Sequence, residues 1–369
     1  MTEDVLLTVL QISDLHFGGN SKDTSGFELS AKLPRFQKYS HWFDGFLGHH
    51  HQGLSDLHQF YSDLWERTDG RLRTVISGDL TAYGNPYQFD LAADFLGSEK
   101  PTRFGFGLGL VQWAESSVSG NHDQWPGSTM IVGAPTTKLG EVLPGPYPMI
   151  GQLQPLSATA SLRFLFVDSD ADVGHVLPNR FLARGCFASQ LSKLASQVPA
   201  RVTGEVRVLV VHHAVSSLGT PWTDQASEFP KGSPSRRTPL EIDGGTLRAL
   251  QHFLVNAGVQ VVLTGHLHVP RLSEFVASND VETLNVLETR CGTTTQWDHY
   301  PMNVLAEVDP ERRLPPNSLV CHELVQRSDE LVWRASIYWR SRASGFVHRP
   351  NRVSLDLPPS LSRELRISA

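Results

Sequence analysis

The stretch VLLTVLQISDLH, residues 5–16, combines the two features on which the predicted fold depends. Its first eight residues form a short apolar run, which is typical of a strand that is covered on both faces. The run ends abruptly in polar residues, among which Asp14 and His16 stand two positions apart. If the backbone is still extended there, both side chains point to the same side. We therefore expect a buried strand that presents a carboxylate and an imidazole at its carboxyl end.

The same arrangement recurs along the chain. Apolar runs at 72–76, 206–211 and 259–263, and a weaker run at 111–118, end in SGDLTAYG, HHAVSS, TGHLH and SGNHD respectively. A further run, 162–167, ends in DSD. Amphipathic helices are predicted over 86–97, 188–198 and 246–257. This alternation of strands and helices predicts a layered α/β fold, with functional groups gathered at the carboxyl ends of the strands.

The composition narrows the class of protein. The chain has 369 residues, of which 40% are hydrophobic and 19% charged, and a formal net charge of −6. These values are typical of a soluble globular protein and argue against a broad nucleic-acid-binding surface, although a local basic groove stays open. The three cysteines lack any CxxC spacing, which favours a reducing compartment. The chain shows neither a signal peptide nor an apolar run long enough to cross a bilayer, so we expect a cytoplasmic protein without a membrane partner.

We expect one domain over residues 1–369. Its motif core covers 5–295, and a long aromatic- and His-rich segment at 18–70 has the character of an insertion. Residues 217–240 are rich in Pro, Ser and charge, which predicts a surface loop or lid. Residues 317–357 predict a C-terminal β meander that continues a sheet.

Five predicted strand ends carry side chains that can bind a metal ion. The groups are carboxylates, imidazoles and one amide, without thiolates, and they suit Mn, Fe, Zn or Ni. One ion cannot use all of them, whereas two ions about 3.5 Å apart with one bridging carboxylate can. Two such cations polarise a phosphoryl oxygen and lower the pKa of a shared water, which makes hydroxide available near neutral pH. The candidate ligands are Asp14, His16, Asp79, Asn121, His212, His266 and His268.

The order of the motifs adds a resemblance to these inferences. DLH, GDLTAYG, GNHD, HH and GHLH follow one another between residues 14 and 268, and this series resembles the calcineurin-like metallophosphoesterase superfamily. The resemblance implies a four-layer αββα sandwich, in which two mixed β-sheets pack face to face and are flanked by helices. It also implies a binuclear metal centre that hydrolyses phosphoesters.

The resemblance assigns a role to each motif residue. It implies that His122 contacts the substrate phosphate and the leaving group, and that Asp123 orients His122 for general acid assistance. It divides the metal ligands into one set for each ion, with Asp79 bridging both. The first set is Asp14, His16 and His268, and the second is Asn121, His212 and His266.

Details of the motifs favour one branch of the superfamily. GDLTAYG lacks the arginine of the Ser/Thr protein phosphatases, and His16 together with the position of Tyr83 argues against the purple acid phosphatases. GHLH followed by a strand and CGTTT resembles the bacterial cyclic-nucleotide phosphodiesterases and related phosphohydrolases. Two departures lie on the expected substrate side: AVSS follows the histidine pair where that branch has a proline, and 18–70 is longer than usual.

These features lead to one principal hypothesis and two alternatives. The principal one is a metal-dependent phosphodiesterase or phosphatase that acts on small substrates. The first alternative is a nuclease of the same superfamily, which would need an electropositive groove. The second is a non-catalytic scaffold with this fold, although such a protein is expected to lose ligands and none is missing here. The oligomeric state stays open.

Other candidate residues have competing interpretations. His49, His50 and His51 could form a metal cluster, but consecutive residues rarely converge on one ion, so we expect a solvated loop. Trp125 either lines the pocket or packs against its own loop. Asp168 and Asp170 are expected to form a cap or a turn.

Two further groups have weaker signals. His41, Trp42 and Phe43 are expected on the packing face of a helix, with substrate stacking as the alternative. Arg236 and Arg237 are expected to be solvated, with a contact to the substrate phosphate as the alternative. No function is assigned to His175, His252 and His322.

Overall fold

A computed structural model gives the structure of residues 3–18, 48–98, 103–125, 137–143, 145–173, 184–215, 242–296, 316–328, 330–341, 344–348 and 361–367. Thirteen strands lie in these segments: β1 (Glu3–Ile12), β2 (Leu72–Ile76), β3 (Met149–Ile150), β4 (Gln154–Pro155), β5 (Ser161–Val167), β6 (Glu205–Val211), β7 (Val261–Thr264), β8 (Arg271–Ser278), β9 (Thr283–Arg290), β10 (Ser318–Arg327), β11 (Glu330–Ser341), β12 (Gly345–Val347) and β13 (Ser362–Ile367). The α-helices in the same segments are α1 (His51–Arg67), α2 (Pro86–Gly97), α3 (Thr137–Val142), α4 (Ala188–Gln197) and α5 (Gly244–Ala257).

The strands form two mixed sheets. The first sheet has the order β12-β11-β10-β1-β2, with β13 paired to β11. Its strands are antiparallel except for β1 and β2, which run parallel. The second sheet has the order β3-β5-β6-β7-β9-β8, with β4 paired to β5. Within it β5, β6, β7 and β9 run parallel, so their carboxyl ends meet at one edge.

Apolar side chains divide the molecule into four layers. Strand β1 contributes side chains to two hydrophobic cores, because successive residues of a strand point to opposite faces of the sheet. Leu7 and Val9 lie in the core between the two sheets, whereas Leu10 and Ile12 belong to a second core that includes α1 and α2. A third core packs α4 and α5 against the outer face of the second sheet. The predicted αββα sandwich of two mixed sheets is therefore confirmed.

The most apolar runs were predicted closely. Residues 72–76 form β2 with the predicted bounds, and the other confirmed strands differ from prediction by one or two residues at an end. Helix α5 begins two residues before its predicted start, because the Asp243 side chain accepts hydrogen bonds from the main chain of Gly245 and Thr246 and caps the helix.

Two expectations about local structure are wrong. The predicted strand 111–118 is instead a 3-10 helix, Trp113–Ser116, followed by one extended residue, Ser117, that bridges to Ile76. Helix α1 (His51–Arg67) lies inside the segment 18–70, and no helix was predicted over these residues. Its buried residues Leu54, Leu57, Phe60 and Leu64 follow helical spacing, but the polar and His-rich residues around them obscure that pattern.

The C-terminal segment continues the first sheet. Strands β10, β11 and β12 pair in sequence, as expected for the predicted meander, and β10 also pairs with β1 at the other end of the chain. The single domain over 1–369 stays a prediction, as do its core and insertion boundaries. Among the described residues, no helix has the length and hydrophobicity needed to span a membrane.

A buried polar network joins the two sheets beneath the carboxyl ends of the strands. The Gln11 side-chain amide donates to the carbonyl oxygens of Thr264 (2.8 Å) and Thr289 (3.2 Å) in the second sheet. In the first sheet, Trp333 Nε1 donates to His322 Nδ1 at 3.1 Å, which leaves the proton on Nε2, 3.2 Å from Gln11 Oε1. Burial lowers the pKa of His322 to about 3, so this imidazole is neutral. The network fixes one sheet against the other at the level of β1.

The neutral state of His322 makes stability depend on pH. The unfolded chain binds a proton at His322 below about pH 6.5, whereas the folded chain does so only near pH 3. The contribution of neutral His322 to stability is therefore complete above pH 6.5 and falls on acidification. Because of His322, we expect the free energy of unfolding to be about 2 kcal/mol lower at pH 5 than at pH 7. His322→Gln keeps a donor and an acceptor but does not titrate. Urea unfolding of both proteins with chelator present should give a shallower pH dependence for the variant, and equal slopes would contradict this assignment.

Candidate metal centre

The carboxyl ends of strands from both sheets bring the polar motifs together. Asp14 and His16 follow β1, and Asp79 follows β2 in the first sheet. In the second sheet, His212 and His213 follow β6, and the GHLH motif follows β7. The GNHD motif follows the bridge at Ser117 rather than a strand. All seven residues predicted to bind metal are described, and they lie in one cluster: Asp14, His16, Asp79, Asn121, His212, His266 and His268.

One group of four side chains could hold a single cation. Asp14, His16, Asp79 and His268 each direct a ligand atom into the same space, and these atoms all lie within 4.8 Å of one another. His268 Nε2 is 3.0 Å from Asp14 Oδ1, and His16 Nε2 is 3.9 Å from Asp79 Oδ2. Asp14, His16 and Asp79 are buried.

The donor atoms of this group fit a metal ion better than they fit one another. Asp14 Oδ1 is buried and accepts no hydrogen bond from the described residues, although an imidazole nitrogen lies beside it. The Nε2 atoms of His16 and His268 face each other at 3.2 Å. Ligand atoms bound to one transition-metal ion at about 2.1 Å lie about 3 Å apart. A cation between them would therefore give Asp14 Oδ1, which accepts no hydrogen bond from the described residues, a partner.

A second group of candidate ligands also lies beside Asp79. His212 Nε2 is 3.3 Å from Asp79 Oδ2 and 3.2 Å from Asn121 Oδ1. His266 Nδ1 is 3.0 Å from the same Asn121 oxygen, and His266 Nε2 is buried without a hydrogen-bond partner among the described residues. The Ser77 carbonyl oxygen lies 2.7 Å from His212 Nδ1, which orients the ring with Nε2 toward Asp79. Asp79 Oδ2 thus lies near one histidine of each group, His16 and His212.

The backbone at these ligands is not extended. Asp14, His16 and Asp79 each have φ near 51°, and His266 and His268 have φ of 69° and 56°. The extended backbone under which Asp14 and His16 would point to the same side is therefore not present, although both side chains do reach the same space. Left-handed conformations are uncommon outside glycine, and surrounding structure must hold them in place.

Three consecutive threonines supply that support for the loop after β1. Thr293 Oγ1 donates to the Asp14 carbonyl oxygen, and Thr295 Oγ1 donates to the Leu15 carbonyl oxygen, both at 2.7 Å. Between them, Thr294 Oγ1 accepts a hydrogen bond from the Ser13 main chain at 3.1 Å. In the sequence, the CGTTT segment contributes only to the resemblance. Nothing in it predicts hydrogen bonds to the main chain of the loop that carries Asp14.

Burial and mutual charge set the ionisation of the ligands. Burial, helped by the charge of His122, holds the pKa of His16 well below its usual value. Burial opposes ionisation of Asp79, but His212 and His122 outweigh it and the pKa of this carboxyl stays well below its usual range. Burial likewise opposes protonation of His212, but Asp79 raises the pKa of this imidazole. His212 must lose that proton to bind a metal, so we expect metal affinity to rise with pH.

His122 faces the cluster from its more accessible side. Its side chain is 12% exposed, and its Nε2 lies 3.9 Å from Asp79 Oδ2. The main-chain N–H of His122 donates to Asp79 Oδ1 at 2.9 Å. The Ala82 carbonyl oxygen lies 2.9 Å from Nδ1, which places the ring proton on Nδ1 and leaves Nε2 directed at the cluster.

Asp123 does not make the contact that the resemblance implied. Its Oδ1 accepts hydrogen bonds from the main chain and hydroxyl of Thr81, and its Oδ2 accepts from the main chain of Leu80 and Gly120. The partner of the His122 imidazole is Ala82 instead. The predicted orientation of His122 by Asp123 is therefore wrong at the level of direct contact. Asp123 joins the loops after β2 and Ser117, while burial and Asp79 raise its pKa to about 7.

The remaining candidates that the structure describes do not contribute ligand atoms to the cluster. His49 is buried against Phe17, and His50 accepts a hydrogen bond from Gln52 as the N-cap of α1, so the predicted solvated loop is wrong. Asp168 accepts from the main chain of Asp170 within a turn, as expected. The candidates that lie outside the described residues are His41, Trp42, Phe43, His175, Arg236 and Arg237, together with the proposed lid 217–240.

Two glycines allow the loops to close on the cluster. A Cβ added at Gly120 would lie 2.7 Å from Cγ of Asp79, and one added at Gly265 would lie 2.6 Å from Oδ2 of Asp14. Neither glycine has a positive φ, so the requirement is one of space. Each glycine precedes one candidate ligand and makes room for another.

We therefore expect Gly120→Ala to displace the Asp79 carboxylate and to weaken Mn²⁺ binding by about 10–100-fold, the usual effect of disturbing groups that hold a ligand. Calorimetric titration of metal-free protein with MnCl₂ measures this. Gly140→Ala is the matched control, because a Cβ there meets no atom within 4 Å. Wild-type affinity in Gly120→Ala would show that the close approach does not position Asp79.

The part of the chain that contains the five motifs matches a known protein family. A protein-family model of the calcineurin-like phosphoesterases matches residues 7–270. No curated protein matches the chain. Among solved structures, the chain is similar to a conserved uncharacterized protein from Streptococcus pneumoniae TIGR4, a predicted phosphoesterase, with 12% sequence identity, 99% of each chain covered and a TM-score of 0.30.

A TM-score this low carries no argument, so the assignment rests on the family match. That match covers more than half of the chain and includes all five motifs between residues 14 and 268. The protein belongs to the calcineurin-like phosphoesterase family.

Proposed function

We propose that this protein is a phosphodiesterase or phosphatase that hydrolyses small phosphoesters with two bound transition-metal ions. The observation that carries the proposal is the buried group of Asp14, His16, Asp79 and His268, whose ligand atoms converge within 4.8 Å. The family to which the chain belongs consists of metal-dependent phosphoesterases, and this group provides the donors that such chemistry needs.

The two ligand groups would each hold one ion. Asp14, His16 and His268 would hold the first, and Asn121, His212 and His266 the second. Asp79 would contribute to both, because its Oδ2 lies 3.9 Å from His16 Nε2 and 3.3 Å from His212 Nε2. Mixed carboxylate, imidazole and amide donors suit Mn, Fe, Zn or Ni.

When bound, the two cations would polarise the phosphoryl group and lower the pKa of an attacking water. His122 would act from the other side of the ester. Its Nε2 is directed at the cluster, so a protonated Nε2 would donate to the oxygen of the leaving group. Asp123 would have no direct part in this step and would instead keep the loop that carries Asn121 and His122 in place.

Small substrates and a cytoplasmic location complete the proposal. The net charge of −6 disfavours a polyanion such as nucleic acid as the general partner. Cys186, Cys291 and Cys321 are all free thiols, as expected in a reducing compartment.

A substrate panel tests the proposed activity. Protein reconstituted with Mn²⁺ should hydrolyse bis-p-nitrophenyl phosphate, p-nitrophenyl phosphate or a cyclic nucleotide, and should act poorly on single-stranded DNA. Preference for DNA would support the nuclease alternative. No turnover of any ester by metal-loaded protein would support the non-catalytic scaffold and contradict the proposal.

The division of roles predicts different effects for two histidines. His122→Ala should lower kcat by about 10²–10⁴-fold with unchanged metal content, because it removes acid assistance only. His268→Ala should lose metal as well as activity, because it removes a ligand. Metal analysis and kinetics on both variants measure this, and loss of metal from His122→Ala would overturn the role given to His122.

A further inference from the structure

The aromatic ring of Trp125 lies directly on the imidazole of His122. The two ring centroids are 3.8 Å apart and the planes are inclined by 32°. Tyr83 of the GDLTAYG motif has its ring centroid 6.2 Å from that of Trp125, with the planes inclined by 42°. Ala82 and Tyr83 form a small apolar cluster with the same indole. A hydrogen bond from the Trp125 main chain to the His122 carbonyl oxygen (3.2 Å) closes the turn that brings the rings together.

Besides its edge contact with His16, the imidazole of His122 has two contacts that restrain it in different ways. The Ala82 carbonyl oxygen, 2.9 Å from Nδ1, fixes which nitrogen carries the proton and which faces the cluster. A single hydrogen bond at one edge still allows the ring to tilt, because the torsion that turns a histidine ring has a broad minimum. The indole of Trp125 covers one face of the imidazole and restricts that tilt.

The contacts of Trp125 separate it from metal binding. Among the described residues, its ring contacts are with His122 and Tyr83, and neither is a proposed metal ligand. The indole is half-buried, whereas Asp14, His16, Asp79 and His212 are fully enclosed. Its position predicts an effect on the alignment of His122 and none on the ions.

We propose that Trp125 is a positioning residue, which holds the His122 ring with Nε2 aligned on the leaving-group oxygen. This inference rests on the proposed function, in which His122 assists departure of that oxygen. A proton is needed most by a poor leaving group, such as phenolate, and least by p-nitrophenolate, which leaves readily as an anion. Misalignment of His122 should therefore slow poor leaving groups most, since small displacements of a catalytic group can cost large factors in rate.

The kinetic test compares leaving groups in Trp125→Leu, Trp125→Phe and the control Trp65→Leu, which removes a 46% exposed indole from α1. For phenyl esters, Trp125→Leu should lower kcat by about 10–100-fold, with a loss several-fold smaller for the p-nitrophenyl esters. Metal content and KM should stay close to wild type. Trp125→Phe keeps an aromatic face and should restore most of the rate, and Trp65→Leu should behave as wild type.

A spectroscopic test does not depend on activity. In metal-free protein with ¹⁵N-labelled histidine, the neutral His122 ring should carry its proton on Nδ1 in the wild type and in Trp125→Phe. In Trp125→Leu the imidazole should tilt away from the Ala82 carbonyl oxygen for part of the time, because the indole no longer covers its face. The hydrogen bond that selects the Nδ1 tautomer is then lost for that time, so the ¹⁵N shifts should move toward a mixture of the two tautomers. An unchanged tautomer in Trp125→Leu would overturn the positioning role even if the protein proved to have no phosphoesterase activity.

The outcomes distinguish the inference from the function beneath it. If His122→Ala shows the leaving-group effect but Trp125→Leu does not, the inference fails and the proposed function stands. Equal losses on both ester types accompanied by loss of metal would mean that Trp125 only supports the fold of the loop, which also overturns the inference. If the wild type hydrolyses no ester, the proposed function fails, and the ¹⁵N spectra decide whether Trp125 restrains His122.

Discussion

The buried carboxylate of Asp79 is the group around which the loops of both sheets are arranged. It lies 3.3 Å from a ring nitrogen of His212 and accepts the main-chain N–H of His122. Its own loop is joined to the GNHD loop by Asp123, and Gly120 leaves the space that its side chain occupies. A buried charge is costly unless other groups compensate it. The histidines around Asp79 provide part of that compensation, and the proposed cations would provide the rest.

Since the ligands come from two sheets, the relative position of the sheets determines the geometry of the cluster. Gln11 joins β1 to Thr264 and Thr289 of the second sheet a few residues before Asp14. Above it, Thr293 and its two neighbours hold the loop after β1 in a conformation that its own sequence does not favour. The hydrophobic core between the sheets provides stability, while these directional contacts fix the register that the ligands require.

The sequence predicted the parts of the structure that depend on local pattern. Continuous apolar runs identified β1, β2, β5, β6 and β7, and the motifs identified seven side chains that do lie together. The prediction of a strand over 111–118 was wrong because this segment has few apolar residues. Among the described residues, it pairs with β2 through one bridge, between Ser117 and Ile76. Helix α1 was not predicted because its four buried leucine and phenylalanine side chains stand among polar and His-rich neighbours.

Contacts between distant segments could not be predicted in the same way. The hydrogen bonds of Asp123 to the loop after β2, and the Ala82 carbonyl at His122, depend on how two loops pack and leave no periodic signal. The same is true of the threonines behind Asp14. The position of Asp123 in the GNHD motif therefore predicted a role at the site. Only the three-dimensional contacts show which groups donate hydrogen bonds to its carboxylate.

The central claim, that Asp79 lies between two metal ions, can be tested directly by anomalous diffraction from crystals of the Mn²⁺-reconstituted protein. Two anomalous peaks are expected about 3.5 Å apart with Asp79 between them. Asp14, His16 and His268 should surround one peak, and Asn121, His212 and His266 the other. A single peak, or two peaks of which one lies away from Asn121, His212 and His266, would contradict this claim.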